Sequence, residues 1–335
     1  MNKLRNAGII GTGSCLPDKI VTNQDMEKIV DTTDEWIRTR TGISERRITD
    51  ENTATSDLAT VAALRALENA NIRPEEIDLI IVSTVTPDMM FPSTACIVQK
   101  NIGAVNAAAF DLEAACSGFL YGLAIADSLV RAGSFNKILV IGAETLTKIL
   151  DFTDRNTCVI FGDGAGAAIV SEVPEGYGIM STYIGADGRG GDLLKVPAGG
   201  SRIPSSVESV QNRLHYVKMD GKEVFKFAVK IMGDAAEIAL GKCGLTKEDV
   251  DFFIPHQANI RIIEASVKRL KIAHEKVYIN LDKYGNMSSA SVAIAIDEAN
   301  RKGLLKDGDT IVLVGFGGGL TWGSAALKWK SIGRE

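Results

Sequence analysis

The sequence predicts an α/β chain of two similar halves, each built on a largely parallel sheet with helices on both faces. Three observations predict it. Short β-branched apolar runs alternate with helical stretches along the 335 residues. The pattern also recurs: Asp78 and Asp251, each just ahead of an apolar strand, are 173 residues apart, and the strand-to-helix joints at Cys116 and Asn286 are 170 apart. Finally, 45% apolar content permits a large core, while no run of eighteen apolar residues suggests a membrane span.

Taken in order, residues 7–13 form the first strand. A loop through Pro17 leads to Asp31-Thr-Thr-Asp-Glu-Trp-Ile-Arg-Thr-Arg-Thr-Gly-Ile, where Trp36 is a large aromatic among charges, with Arg38, Arg40, Arg46 and Arg47 nearby in sequence. That setting suits a stacked anionic ligand such as a nucleotide. It also suits a tryptophan covering the edge of the core, and the residues alone favour the second. Ser56 is the expected N-cap of a helix over 57–70, and a strand follows over 79–85. The stretch 106–115 is of strand length, 117–131 is a helix apolar nearly all round that stops at Gly133, and 137–142 and 164–170 are strands. The Gly-, Ser- and Pro-rich stretch 185–206 is expected to be a long loop connecting the halves, taken as 1–172 and 173–335. A helix over 223–239, a strand at 252–254, helices ending at Arg269 and spanning 290–300, and strands over 310–314 and 324–329 complete the second half.

A net charge of −5 disfavours nucleic acid as the main partner. The amino-terminal residues lack a signal-type apolar region, so a cytoplasmic location is expected. The five cysteines, Cys15, Cys96, Cys116, Cys158 and Cys243, are far apart and form no Cys-x-x-Cys pair, which argues against disulfides or zinc. Three histidines in unrelated contexts add no metal cluster.

The chemistry centres on three strand-to-helix joints. In Asp-Leu-Glu-Ala-Ala-Cys-Ser-Gly-Phe, Cys116 sits where unpaired N–H groups and the positive end of a helix dipole favour thiolate, as a nucleophile requires. Free cysteine is also a common small core hydrophobe, and this stretch alone leaves both readings open. His256 ends a strand in Pro-His-Gln-Ala-Asn-Ile-Arg, and Asn286 opens a helix in Tyr-Gly-Asn-Met-Ser-Ser-Ala-Ser, where the repeat makes it the counterpart of Cys116. Three such groups in a duplicated fold can converge near the sheet ends, where ligands collect. Phe161-Gly-Asp-Gly-Ala-Gly-Ala-Ala runs into a strand instead of opening a helix, so its glycines indicate tight packing rather than a phosphate cradle.

Six stretches in order, Asp-Thr-Thr-Asp-Glu-Trp-Ile, Ala-Cys-Ser-Gly-Phe, Phe-Gly-Asp-Gly-Ala-Gly-Ala, His-Gln-Ala-Asn-Ile-Arg, Tyr-Gly-Asn-Met-Ser-Ser-Ala-Ser and Gly-Phe-Gly-Gly-Gly-Leu-Thr-Trp-Gly, make the whole chain resemble β-ketoacyl-acyl carrier protein synthase III. This is the condensing enzyme that initiates bacterial fatty-acid synthesis. The resemblance implies the thiolase fold, two pseudo-symmetric halves in five αβαβα layers, and a homodimer. It implies a Cys116, His256, Asn286 triad and an oxyanion hole from the backbone N–H groups of Cys116 and Gly318. For the coenzyme A moiety it implies Trp36 stacked with Arg155, and Thr32, Arg40, Gly221 and Asn259 nearby. For acyl carrier protein it implies a basic face of Lys226, Arg261, Lys268 and Arg269 with Gln257 beside it.

Phe91 resembles a residue reaching the partner's acyl pocket and Phe316 one lining the chamber, while Met287 and Ser289 stand where relatives often have Thr and Ala. The implied reaction joins an acyl-CoA primer to malonyl-acyl carrier protein through an acyl-Cys116 intermediate, with no metal or redox cofactor. A secondary-metabolism relative with another extender and a non-catalytic carrier-binding subunit are the alternatives. Thiolysis is disfavoured, because the one cysteine of the second half, Cys243, lies at a polar helix end.

Overall fold

The computed structural model describes residues 4–332; part of the amino-terminal stretch inspected for a signal, Met1 to Lys3, lies outside them. The main elements in chain order are β1 (Ala7–Cys15), α1 (Asp34–Thr41), α2 (Thr55–Ala70), β2 (Leu79–Ser83), α3 (Thr94–Ile102), β3 (Ala108–Leu112), α4 (Gly118–Arg131), β4 (Lys137–Thr145) and β5 (Asp163–Glu172). They continue with β6 (Gly178–Ala186), α5 (Gly221–Lys242), β7 (Phe252–Pro255), α6 (Ile260–Leu270), α7 (Ala290–Arg301), β8 (Thr310–Gly317) and β9 (Thr321–Lys328).

Two sheets carry the chain. The first has the order β1-β5-β4-β2-β3 and the second β7-β8-β9-β6, and in each the antiparallel strands lie toward one edge. β2 is parallel to β3 and β4, as β7 is to β8. An isolated parallel bridge from Phe253 to Val277 marks the place in the second sheet that β3 fills in the first.

The repeat is visible in single bonds. Asp78 accepts from the N–H of Lys137 at 3.0 Å, and Asp251 from that of Thr310 at 2.9 Å. Lys137 and Thr310 are 173 residues apart, like the two aspartates. The same spacing links Ala115 and Ser288, both left-handed at φ 46°. The counterpart of Cys116 is therefore Ser289, and Asn286, three residues earlier, is not its equivalent as the 170-residue spacing suggested. We propose residue 172, the end of β5, as the boundary between the halves.

Helix character sets the layers. α4 and α7, apolar on nearly every face, lie between the sheets, where Phe119, Leu120 and Leu123 are buried with Val292 and Ile296. Each such side chain contributes about 2 kcal/mol of burial. α2 and α3, each with one buried and one exposed face, cover the outside of the first sheet, and α5 and α6 the outside of the second, which gives five layers. Close packing needs bare backbone: a Cβ at Gly142 would meet Ser289 O at 2.3 Å, and one at Gly166 the Ala293 Cβ at 2.6 Å. The glycines after Phe161 thus serve packing.

Two local expectations are corrected. Ser56 does not cap α2; Ala54 occupies that position, and the Ser56 hydroxyl instead donates to Asp88 at 2.7 Å. The stretch 185–206 does not join the halves. It begins inside β6, continues as a short 3-10 turn, and pairs Leu194–Lys195 with Lys218–Met219 as a two-stranded ribbon, because its glycines fit tight turns and leave the apolar residues to pack.

Candidate active site

Cys116 lies in a single 3-10 turn between β3 and α4, held by its own Ser117 and by Thr321 from the other half. The Ser117 hydroxyl donates to Ala114 O and bonds Thr321 Oγ1, which itself donates to Ala114 O, each at 2.8 Å. His256 follows β7; its N–H donates to Val314 O at 2.7 Å and its ring meets Phe316 edge-on at 5.7 Å. The Asn286 backbone is zipped onto the first half through Ile160 O and the N–H of Gly162. Its Oδ1 accepts from the Ser288 N–H at 2.8 Å, which leaves Nδ2 as the unengaged donor.

Cys116, His256, Asn286 and Phe316 are all buried, and all line one cavity of about 660 Å³. Exposed Arg40, Arg155 and Gly221 line the same cavity, so it grades from a closed end to an open one. Burial decides the charge states at the closed end. It pushes the Cys116 thiol up to about 12, against the lowering effects of the Ser288 hydroxyl and its own backbone N–H. It also pulls the His256 imidazole down to about 3. Neither ring nitrogen of His256 has a protein partner among the described residues. The expectation of a resting thiolate is corrected: desolvation outweighs the helix terminus, and both groups rest neutral.

At the open end, Thr33 caps α1 by accepting from the Trp36 N–H at 3.1 Å, which fixes the tryptophan's position. The guanidiniums of Arg40 and Arg155 stand over its ring, 4.8 and 5.2 Å from the centroid. Trp36 therefore does both: it packs at the edge of the core outside the second sheet and, with the two guanidiniums over its ring, lines the cavity mouth. Asn259 caps α6 and donates to Arg40 O at 2.8 Å, joining α6 to the end of α1. Thr32 does not line the cavity, although its Oγ1 is buried with no partner among the described residues. Arg46 is unavailable to any ligand: it is buried and bonded to Val21 O, Asn23 and Val159 O.

The basic face survives in part. Arg261 lines the cavity mouth, Lys226 lines it with its ammonium paired to Glu223 at 2.6 Å, and Lys268 is exposed. Arg269 is paired with Asp234 and bonded to Lys230 O, so its charge is largely spent within the fold. Gln257 is withdrawn as a docking residue. It is 0% exposed and fully bonded, donating to Pro255 O and Tyr278 O and accepting from the N–H groups of Asn280 and Leu281.

Gly317 lines the cavity against the Cys116 N–H, while Gly318 lies against Leu194 O. Phe91 is 85% exposed and does not line this cavity. Met287 packs beside Leu16, Tyr284 and Ile294, away from the chamber. Sequence reasoning missed Glu144, a buried carboxyl beside the site; a lone acid in the apolar run of β4 was its one signal. It also missed the ribbon residues Leu194 and Met219 that line the cavity.

A buried thiol, an imidazole with both nitrogens free, and an amide donor in one chamber suit acyl transfer followed by carbanion chemistry. Residues 110–188 match the family model for 3-oxoacyl-acyl-carrier-protein (ACP) synthase III, and residues 240–329 that for its C-terminal part. The β-ketoacyl-acyl-carrier-protein synthase III of Caldanaerobacter subterraneus subsp. tengcongensis is 66% identical over 97% of this chain and 98% of that protein. The chain belongs to the β-ketoacyl-acyl carrier protein synthase III family. Like the family, it is a condensing acyltransferase with the thiolase fold.

The crystal structure of the synthase III from Aquifex aeolicus, 48% identical, superposes with a TM-score of 0.90 over 96% of this chain and all of that one. A priming β-ketosynthase of a polyketide pathway is 38% identical with a TM-score of 0.91, covering 99% of this chain and 98% of its own. Among the described residues no helix is long and apolar enough to cross a membrane.

Proposed function

We propose that the chain condenses an acyl-CoA primer with malonyl-acyl carrier protein, in the cytoplasm and without a cofactor, to start fatty-acid synthesis. Cys116 attacks the thioester, coenzyme A leaves, and the acyl group rests on sulfur. Malonyl-acyl carrier protein then loses carbon dioxide; His256, neutral and able to donate from one ring nitrogen, and Asn286 through Nδ2, hold the enolate oxygen. The enolate carbon attacks acyl-Cys116 and releases 3-oxoacyl-acyl carrier protein. The oxyanion of each acyl-transfer step is held by the N–H groups of Cys116 and Gly318.

The convergence of Cys116, His256 and Asn286 at the closed end of one cavity carries this reading. In its open part, Trp36 and Arg155 stack the adenine, with Arg40, Gly221 and Asn259 around the coenzyme and Thr32 behind them. Replacing Trp36 with alanine removes stacking worth about 1–3 kcal/mol and raises the acyl-CoA KM about tenfold, with kcat little changed. An unchanged KM places the adenine elsewhere. Lys226, Arg261 and Lys268 dock the acidic carrier protein. The exposed run Met89, Met90 and Phe91 supports a homodimer in which Phe91 enters the partner's acyl pocket.

Brief incubation with acetyl-CoA or isobutyryl-CoA, followed by peptide mass spectrometry, tests the reading. One acyl group at Cys116 alone is expected, and the faster donor gives the primer class. No acylation with either, or label scattered over the other cysteines, overturns it.

A further inference from the structure

The oxyanion hole of the proposed reaction comes from two turns far apart in sequence, one in each half. Cys116 lies in the turn between β3 and α4, and Gly318 in the turn that joins β8 to β9. Two N–H groups stabilise one oxygen only when their separation is fixed in advance. Among the described residues no backbone hydrogen bond joins the two turns. They meet through bare backbone instead, since a Cβ at Gly317 would stand 2.5 Å from the Cys116 nitrogen. Such a contact stops the turns from closing further, but it does not stop them from parting.

A hydroxyl supplies the missing restraint. Thr321, the first residue of β9 and the strand partner of Gly317, holds its Oγ1 2.8 Å from Ala114 O and 3.1 Å from Gly318 O. Ala114 leads into the nucleophile's turn, and Gly318 is itself the second donor of the proposed hole. One hydroxyl proton therefore serves two carbonyls, one in each turn. Ser117 Oγ lies 2.8 Å from the same oxygen and donates to it, which fills its acceptor side and limits its rotation. Among the described residues Thr321 is the one side chain bonded to both turns, and it does not line the cavity. The far side of the second turn is tied elsewhere: Leu320 exchanges backbone bonds with Asp187 at 2.8 and 2.9 Å.

We propose that Thr321 is a positioning residue for acyl transfer, its hydroxyl bridging the two turns and setting the separation of the two oxyanion donors. This deepens the synthase reading and rests on it for the identity of the donors. Loss of the hydroxyl has unequal effects on the two turns. Ala114 O keeps its bonds from the Ser117 N–H and hydroxyl, so the thiol stays in place. Gly318 loses its link to the other half, and its N–H drifts from the developing charge. The rate of acyl transfer falls while the binding of the acyl donor does not.

Thr321→Val keeps the side-chain shape and removes the bridge, and Thr321→Ser keeps the bridge. Single-turnover acylation of Cys116 is measured with acetyl-CoA and with p-nitrophenyl acetate, an ester that forms the same oxyanion without the coenzyme. Iodoacetamide alkylation, which forms no oxyanion, is measured beside them. Thr321→Val is expected to acylate about 10- to 10²-fold more slowly with both donors, at a near wild-type acetyl-CoA KM, with alkylation within about threefold of wild type. Thr321→Ser is expected to return acylation to within about threefold of wild type. Ser117→Ala removes a bond inside the nucleophile's own turn and spares the bridge, so it is expected to lose less than Thr321→Val.

Wild-type acylation by Thr321→Val overturns the proposal, as does a failure of Thr321→Ser to restore the rate. Parallel loss of acylation and alkylation overturns it too, because that pattern reports a displaced thiol. Equal losses in Ser117→Ala and Thr321→Val assign the effect to the nucleophile's turn alone, with the same result. Should Thr321→Val fold poorly, Thr321→Ala decides by the same readings. Wild-type protein that accepts acetyl from the ester but not from acetyl-CoA defeats the synthase reading, and the Thr321 variants are then judged on the ester. Acylation from neither donor overturns both.

Discussion

Replacing His256 with alanine is expected to slow malonyl decarboxylation about 10²- to 10⁴-fold while acetyl-CoA still acylates Cys116 within about threefold of the wild-type rate. The enolate needs donors already in place and free of protein partners. Neither ring nitrogen of His256 is engaged, and the T-shaped contact with Phe316 together with the backbone bond to Val314 fixes the ring. Asn286 is better tested by Asn286→Asp than by alanine. The aspartate keeps the oxygen that accepts from the Ser288 N–H, but replaces a donor with a negative charge that repels the enolate. A loss of similar size is expected.

The pH dependence has a definite sign. Burial has pulled the folded imidazole to about 3, below its ordinary value, so the neutral ring contributes its full share of stability above about 6.5. That share is lost as pH falls from there toward the folded value, because the unfolded chain takes up the proton first. The His256→Ala variant should therefore lose less stability between pH 6.5 and 4, by thermal unfolding, than the wild type. Decarboxylation by His256→Ala within threefold of wild type removes the histidine from this role.

Period and punctuation made the layers legible. An all-apolar helix such as α4 has to lie between sheets, and the matched aspartates Asp78 and Asp251 exposed the duplication because both tie the same strand start. Cys116 and His256 were legible because each stands at a strand-to-helix joint; Asn286 stands instead between a one-turn helix, Leu281–Tyr284, and α7, tied to the first half by an isolated bridge to Phe161. The charge states of the cysteine and histidine were not legible, because a sequence shows the helix terminus beside Cys116 but not the desolvation that dominates it. Glu144 escaped for a related reason: whether an acid at a strand end faces water or a chamber depends on the register of β4 against its neighbours.

Gln257 shows the reverse error. The resemblance sets it beside the basic face, while the turn after β7 points it inward to four backbone partners. The stretch 185–206 looked like a linker from composition, and tertiary pairing made part of it cavity wall.

Gly317→Ala is expected to lower acylation of Cys116 about 10²-fold and destabilise the fold by about 1–3 kcal/mol. A Cβ at this position would stand 2.5 Å from the Cys116 backbone nitrogen and 3.0 Å from the Ala115 Cβ. Neither atom is the far end of a flexible side chain, so the strand or the nucleophile's turn has to move. The turn resists: Ser117 and Thr321 pin it to Ala114 O, and Ala115 already occupies the left-handed region.

In the proposed mechanism the displaced atom is the N–H that faces the developing oxyanion, and a shift of a few tenths of an ångström at such a donor acts on the transition state more than on binding. The loss should therefore appear in the single-turnover acylation rate, with the acyl-CoA KM near its wild-type value. Gly200→Ala, where a Cβ meets nothing within 4 Å, serves as the control for adding a methyl group and should change neither rate nor melting temperature. Wild-type acylation by Gly317→Ala means that the Cys116 N–H is not part of the oxyanion hole.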